Sequence, residues 1–154
     1  MSFQASLPAL SEREAIVDAI NRALLSFDAP DLSLFKSSFT EDAVLDLDGR
    51  VMNGIDALRA ECWDRISKLD TTHTVSNLRV SHVPGESAAH VLATVMAQHY
   101  REGQGKQEGT SYLLAGCLYF VDVVKDESDG LWKVKHWRVK FNWIEGDWGV
   151  VRGE

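Results

Sequence analysis

Cysteine is scarce in this chain. Only Cys62 and Cys117 occur among its 154 residues. They lie far apart and form no metal-ligand spacing, so two reduced thiols in a reducing compartment are expected. Basic charge is also short. Sixteen Lys and Arg stand against 23 Asp and Glu, a net charge of −7. That balance supplies no basic stripe for a nucleic-acid partner. No run approaches the roughly 20 apolar residues of a membrane span. Residues 1–8 lack a basic segment followed by an apolar one, so no secretory leader is expected, and a cytoplasmic protein is the default.

Chemical signatures are missing too. There is no G-x-G-x-x-G, no phosphate-binding P-loop, no G-x-S-x-G, no H-E-x-x-H and no cysteine–histidine cluster. The glycine-rich stretch 103–109 lacks the strand-to-helix context of a phosphate cradle. Any catalysis is therefore expected to need no metal and no cofactor, or one supplied from outside.

What is present describes one domain. Apolar residues make up 45% and charged residues 25%, the composition of an ordinary soluble globule. Four of the five tryptophans (Trp132, Trp137, Trp143, Trp148) fall in the last quarter of the chain. The C-terminal segment is therefore expected to wall the interior. The organisation is an arm at 1–10, a single domain at 11–148 and a tail at 149–154.

Ser11 and Glu14 form a capping box. Ile16, Ile20, Leu24 and Phe27, with Ala19 and Ala23, make one apolar stripe, so a helix is predicted from Glu12 to Phe27. Pro30 closes it, and Asp31 caps a short helix from Leu32 to Phe39. Ala43 to Leu47 reads as a strand ending at Asp48-Gly49. Asn53-Gly54 opens a third helix with a stripe of Ile55, Leu58, Cys62, Ile66 and Leu69, and Trp63 beside it. From Thr72 the period changes to that of strands: 72–83, 88–100, 110–124 and 131–143, in an antiparallel meander. Helices first and strands after them predict an α+β fold.

Asp28 continues the apolar stripe of the first helix. It also lies at that helix's C-terminus, where the macrodipole disfavours a carboxylate. It reads either as a turn residue before Pro30 or as a placed functional group. His73 opens the strand-rich half. It reads either as a strand-edge histidine or as a general acid/base. Of the other histidines, His82 and His136 look exposed. His90 and His99 lie on opposite faces of one strand. One face of that strand carries His90, Leu92, Thr94, Met96, Gln98 and Tyr100, mixed and large as a pocket lining is. The other carries Ala89, Val91, Ala93, Val95, Ala97 and His99, suited to packing against another layer. An ordinary two-sided sheet fits the same pattern. In the last strand Trp137, Val139 and Phe141 share the buried face.

The order helix, short helix, short strand, helix and four long strands resembles the nuclear transport factor 2-like proteins, and their SnoaL-like branch in particular. Phe27-Asp28 with Asp31-Leu32, the stretch around His73, and Gly130-Leu131-Trp132-Lys133 running on to Trp143 resemble the scytalone dehydratase family. The resemblance implies a cone-shaped, curved mixed or antiparallel sheet with three N-terminal helices enclosing a pocket. It also implies an acid/base pair, in which His73 moves the proton and Asp28 orients it. This chain departs from the dehydratase pattern. Its two tyrosines fall at Phe27 and Leu47, a second histidine at Met96 and an asparagine at Cys117. Scytalone is therefore not the expected substrate, and Tyr119 or His99 are the candidates to substitute.

The pocket is expected to be lined by Phe27, Leu47, Trp63, Met96, Cys117, Trp137 and Phe141. Such a lining suits a hydrophobic, polycyclic small molecule. The expected activity is a cofactor-independent lyase or isomerase (dehydratase, isomerase or cyclase) of natural-product biosynthesis. Its rivals are a ligand-binding or dimerisation module and the small subunit of an oxygenase. An exposed apolar sheet face predicts a homodimer or homotrimer.

Overall fold

Ser11 opens the first helix as expected. A computed structural model, which describes residues 2–154, has its hydroxyl accepting the Glu14 N–H at 3.2 Å, while the Ser11 N–H donates to the Glu14 carboxylate at 2.7 Å. Helix α1 runs over Glu12–Asp28 and buries Ile16, Ala19, Ile20, Ala23, Leu24 and Phe27. Its last residue is Asp28. Asp31 then caps α2, Leu32–Ser38, by accepting the Leu34 N–H at 3.0 Å. The same carboxylate accepts the Phe3 N–H at 2.7 Å and so holds the N-terminal arm.

Strand β1, Phe39–Leu47, turns at Asp48-Gly49 into a strand the sequence reading did not include, β2, Arg50–Asn53. Both turn residues have positive φ (50° and 99°), the backbone of a two-residue hairpin loop. The third helical segment is not uniform. It consists of α3 (Ile55–Leu58), a π-helical stretch over Arg59–Trp63, and α4 (Asp64–Ile66). Four long strands follow: β3 (Asp70–Ser81), β4 (Ala88–Tyr100), β5 (Tyr112–Lys125) and β6 (Trp132–Gly146). A final helical turn, α5, spans Gly149–Arg152 and buries Val150.

The six strands form one curved, unclosed sheet in the order β2-β1-β6-β5-β4-β3. The meander from β3 to β6 is antiparallel as expected, and β1 joins β6 in parallel. The architecture is the α+β class expected, with the helices on the concave side. Bulges shape that side. The β5–β6 register skips Lys135 and Asn142. Without these skips, Val134, Trp137, Phe141 and Ile144 could not all face inward, because their spacing is not uniformly even.

One face assignment is reversed. In β4 the small residues Ala89, Val91, Ala93, Val95 and Ala97 are buried, with His99, while Met96 is 49% exposed. The concave side is where helix α1 packs against β3 and β6, and the small apolar residues of β4 join the buried core there. The larger mixed set, including Met96, covers the convex side.

Arg22 ties the layers together. It is 3% exposed. Its guanidinium bonds Asp18 at 3.0 Å, the Ser37 hydroxyl at 3.0 Å, and the carbonyls of Ser37 and Trp132. One side chain thus links α1, α2 and β6. Replacing it leaves a partly buried carboxylate and two carbonyls without their donor. Arg22→Leu is therefore expected to lower the unfolding free energy by about 3 kcal/mol or more, read from urea denaturation. A loss under about 1 kcal/mol would show the clamp to be dispensable.

Candidate active site

Asp28 and His73, 45 positions apart in sequence, meet where the end of α1 touches the start of β3. The His73 Nδ1 lies 2.6 Å from Asp28 Oδ1. The His73 backbone N–H donates to Oδ2 at 2.8 Å, and the Thr71 hydroxyl donates to Oδ1 at 2.8 Å. The carboxylate is thus held by three donors. Burial favours its neutral form, but the bonds from His73 and Thr71 outweigh burial and hold Asp28 below the usual carboxylate range. A charged acceptor at Nδ1 fixes the proton there and leaves Nε2 as the basic nitrogen. The side chains are 9% and 16% exposed for His73 and Asp28.

His73 faces a cavity between the concave sheet face and the helices. Asp28 stands behind it and borders a separate polar groove with Thr71, Asp70 and the 103–106 loop. The pair is a partition, with its imidazole on the apolar side. Phe27, Leu47, Cys117, Trp137 and Phe141 line the cavity, as the sequence suggested, and Tyr119, the candidate substitute, is on the wall with them.

Two expected lining residues do not reach it. Met96 points to the convex side, for the reason given above. Trp63 turns away to pack on Phe35, ring centroids 5.6 Å apart, and its Nε1–H donates to the Ser26 carbonyl at 3.1 Å. Cys62 and Ile66 from the same helical segment line the cavity instead. Ile144, Trp148 and Val151 also line it and were not anticipated. Ile144 is placed by the Asn142 bulge, which alternation does not show. Trp148 was noted only as part of the tryptophan cluster.

His99 is on the cavity wall, on the small-residue face of β4. Its ring stands edge-on to that of His73 at 5.5 Å. Its Nδ1–H donates to the Leu113 carbonyl at 3.2 Å. Burial, reinforced by His73, pushes His99 down to about 4, so it is neutral near pH 7. Burial likewise pushes the Cys117 thiol up to about 11, and Tyr119 well above the ordinary phenol range. Both therefore stay protonated, which leaves Cys117 a poor nucleophile. Among the described residues no cluster of three or more His, Cys, Asp or Glu is arranged to hold a metal ion. Among the same residues no helix is long and apolar enough to cross a membrane.

An α+β cone of this kind, with a carboxylate–imidazole pair set in an apolar cavity, defines a class of small pocket proteins. The family model described as a SnoaL-like domain matches residues 8–138, and the chain belongs to that family. It is 52% identical over 143 residues to terrestric acid biosynthesis cluster protein E of Penicillium crustosum, covering 93% of this chain and 91% of that one. Its fold is similar to that of a putative scytalone dehydratase from Novosphingobium aromaticivorans (TM-score 0.74, 23% identity, 88% and 87% of the two chains). It is also similar to a hexachlorocyclohexane dehydrochlorinase from Novosphingobium barchaimii (TM-score 0.69, 22% identity, 90% and 91%).

The state of His99 has a consequence for stability. Its folded value of about 4 lies below the ordinary 6.5. Below about pH 6.5 the unfolded chain takes up a proton that the folded one refuses. Stability therefore falls as pH drops from 6.5 to 4, by about 3 kcal/mol in all. His99→Gln should show a shallower loss between pH 7 and 4 in chemical denaturation. An unchanged slope would mean that His99 is not the neutral group described.

Proposed function

We propose that this protein is a cytosolic, cofactor-independent lyase or isomerase of natural-product biosynthesis. It acts on a hydrophobic polycyclic intermediate as a dehydratase, isomerase or cyclase. The observation that carries the reading is the His73–Asp28 pair, with the imidazole Nε2 free and the ring set at the wall of an apolar cavity. The 52% identical relative named for a biosynthesis cluster supports the pathway class.

His73 Nε2 removes a proton from carbon next to a substrate carbonyl, and the C–H electron pair moves onto the carbonyl oxygen as an enolate. Asp28 keeps Nε2 the basic nitrogen and stabilises the imidazolium that forms. The Nε2–H then returns its proton. Delivered to a β-hydroxyl, it releases water as the enolate collapses. Delivered to another carbon, it completes an isomerisation. Asp28 is occupied by three donors, so a single imidazole carries the proton both ways. Neutral His99, with Nε2 unprotonated, is the accessory group of the site as an acceptor for a substrate hydroxyl, not as a proton donor. Phe27, Leu47, Cys117, Tyr119, Trp137 and Phe141 hold the substrate body. Self-association through the convex face, where Met96 and Trp143 are 49% and 45% exposed, belongs to the same reading. Light scattering showing a monomer at micromolar concentration would remove it.

Deleting the gene in its host should cause an intermediate to accumulate, and the purified protein should convert that compound. Asp28→Asn and His73→Ala should each lower turnover by about 100-fold or more with unchanged circular dichroism. Recovery of the bound compound chemically unchanged would instead favour a ligand-binding module. Full activity in either variant would remove the pair from the mechanism.

A further inference from the structure

The Asp28 carboxylate has two oxygens and three donors, so the donors are shared unequally. Oδ2 takes one, the His73 backbone N–H at 2.8 Å. Oδ1 takes two, the His73 Nδ1–H at 2.6 Å and the Thr71 hydroxyl at 2.8 Å. Thr71 therefore competes with the imidazole for one oxygen. The two residues stand two apart on β3, so their side chains leave the same face of the strand, toward the end of α1. Thr71 lines the polar groove with Asp28, while the cavity wall is built by other residues. It acts on His73 through Asp28, from the side away from the substrate.

A hydroxyl bond to a carboxylate is strongest while the charge has no cationic partner. That condition holds when His73 is a neutral imidazole. Once the ring is an imidazolium, the ion pair takes up the charge on Oδ1 and the Thr71 bond weakens. The hydroxyl thus favours the neutral ring over the protonated one. It also helps to hold Asp28 below the usual carboxylate range, so the proton stays on Nδ1. Both effects suit a single imidazole that must give back the proton it takes, because a base paired with a bare carboxylate holds that proton too well.

Other ionisable groups surround the pair. Asp70, the neighbour of Thr71 in the chain, accepts the Gly105 N–H at 2.8 Å and the Gly103 N–H at 3.3 Å. Lys68, Tyr100, Glu102 and Lys106 line the same groove. His99 is directly opposite Thr71 in the register and lies 5.5 Å from the His73 ring. All of them are common to the wild-type protein and to variants at position 71, so a comparison at that position reads the hydroxyl.

We propose that Thr71 is a positioning residue of the acid–base pair, its hydroxyl sharing Asp28 Oδ1 with the imidazole so that His73 releases its proton more readily than a pair without that hydroxyl would. This assignment rests on His73 and Asp28 being the acid–base pair of the proposed function.

The test is a proton NMR titration of the His73 Cε1–H, identified by its absence in His73→Gln. The midpoint should rise by about half a pH unit in Thr71→Val, a fraction of the worth of one hydrogen bond. Thr71→Ser, which restores the hydroxyl, should titrate as the wild-type protein does. Thr71→Ala and Thr71→Ser are both smaller than threonine, so their contrast carries the test if Thr71→Val fails to fold. A merely structural Thr71 would lower stability and leave the midpoint in place. An unmoved or lowered midpoint without the hydroxyl, or an equal rise in Thr71→Ser, would overturn the assignment. The titration needs no substrate. An unmoved midpoint therefore removes Thr71 and leaves the pair in the mechanism, whereas full turnover in Asp28→Asn removes the pair, and with it a catalytic role for Thr71, whatever the titration shows.

Discussion

The carboxylate of Asp28 is the hinge of this molecule. A negative charge at the last residue of α1 works against the helix macrodipole. Three donors from two neighbouring β3 residues, Thr71 and His73, offset that cost. The bonds do two things together. They fasten the end of the longest helix to the edge strand of the sheet, and they set one imidazole with its proton on Nδ1. Structure and proposed chemistry meet in a single side chain. A carboxylate so thoroughly bonded stays charged and stationary, which suits a group that orients a base.

The rest of the fold keeps a space open beside that imidazole. Alanine and valine on the concave face of β4 take up little of the interior, and the curved sheet carries the aromatic residues of β5 and β6 around the far wall. Skips in register at Lys135 and Asn142 keep the inward set of β6 facing inward along a bent strand. Apart from the two histidines, the wall is nearly free of groups that titrate near neutral pH, so the proposed acid–base pair borders a medium of low polarity. Electrostatic interactions are stronger there than in water.

Much of this was legible in the sequence, for identifiable reasons. The capping box, the apolar stripe and the Asp31 cap are local signals, and each formed as read. Asp28 stood out because it breaks two rules at once, and His73 because it sits where the period changes. The inner face of β4 was not legible. Size and polarity pointed to the Met96 face, but burial follows the uniformly apolar set, so the plainer face turned inward and took His99 with it. The β6 bulges break alternation without a residue signature, which hid Ile144. The hairpin strand β2 is four residues long and lies beyond a turn that was read as an end. Trp63 belongs to a π-helical stretch, and a regular stripe does not predict which way such a turn points its ring.

The central claim is that Asp28 fixes His73 as the Nδ1–H tautomer with Nε2 free toward the cavity. Long-range nitrogen–proton correlation of the His73 ring, at a pH where it is neutral, reads the tautomer directly. The account predicts a protonated Nδ1 and a bare Nε2 in the wild-type protein, with the preference lost in Asp28→Asn. A wild-type His73 protonated on Nε2, or one that averages freely between tautomers, would contradict it.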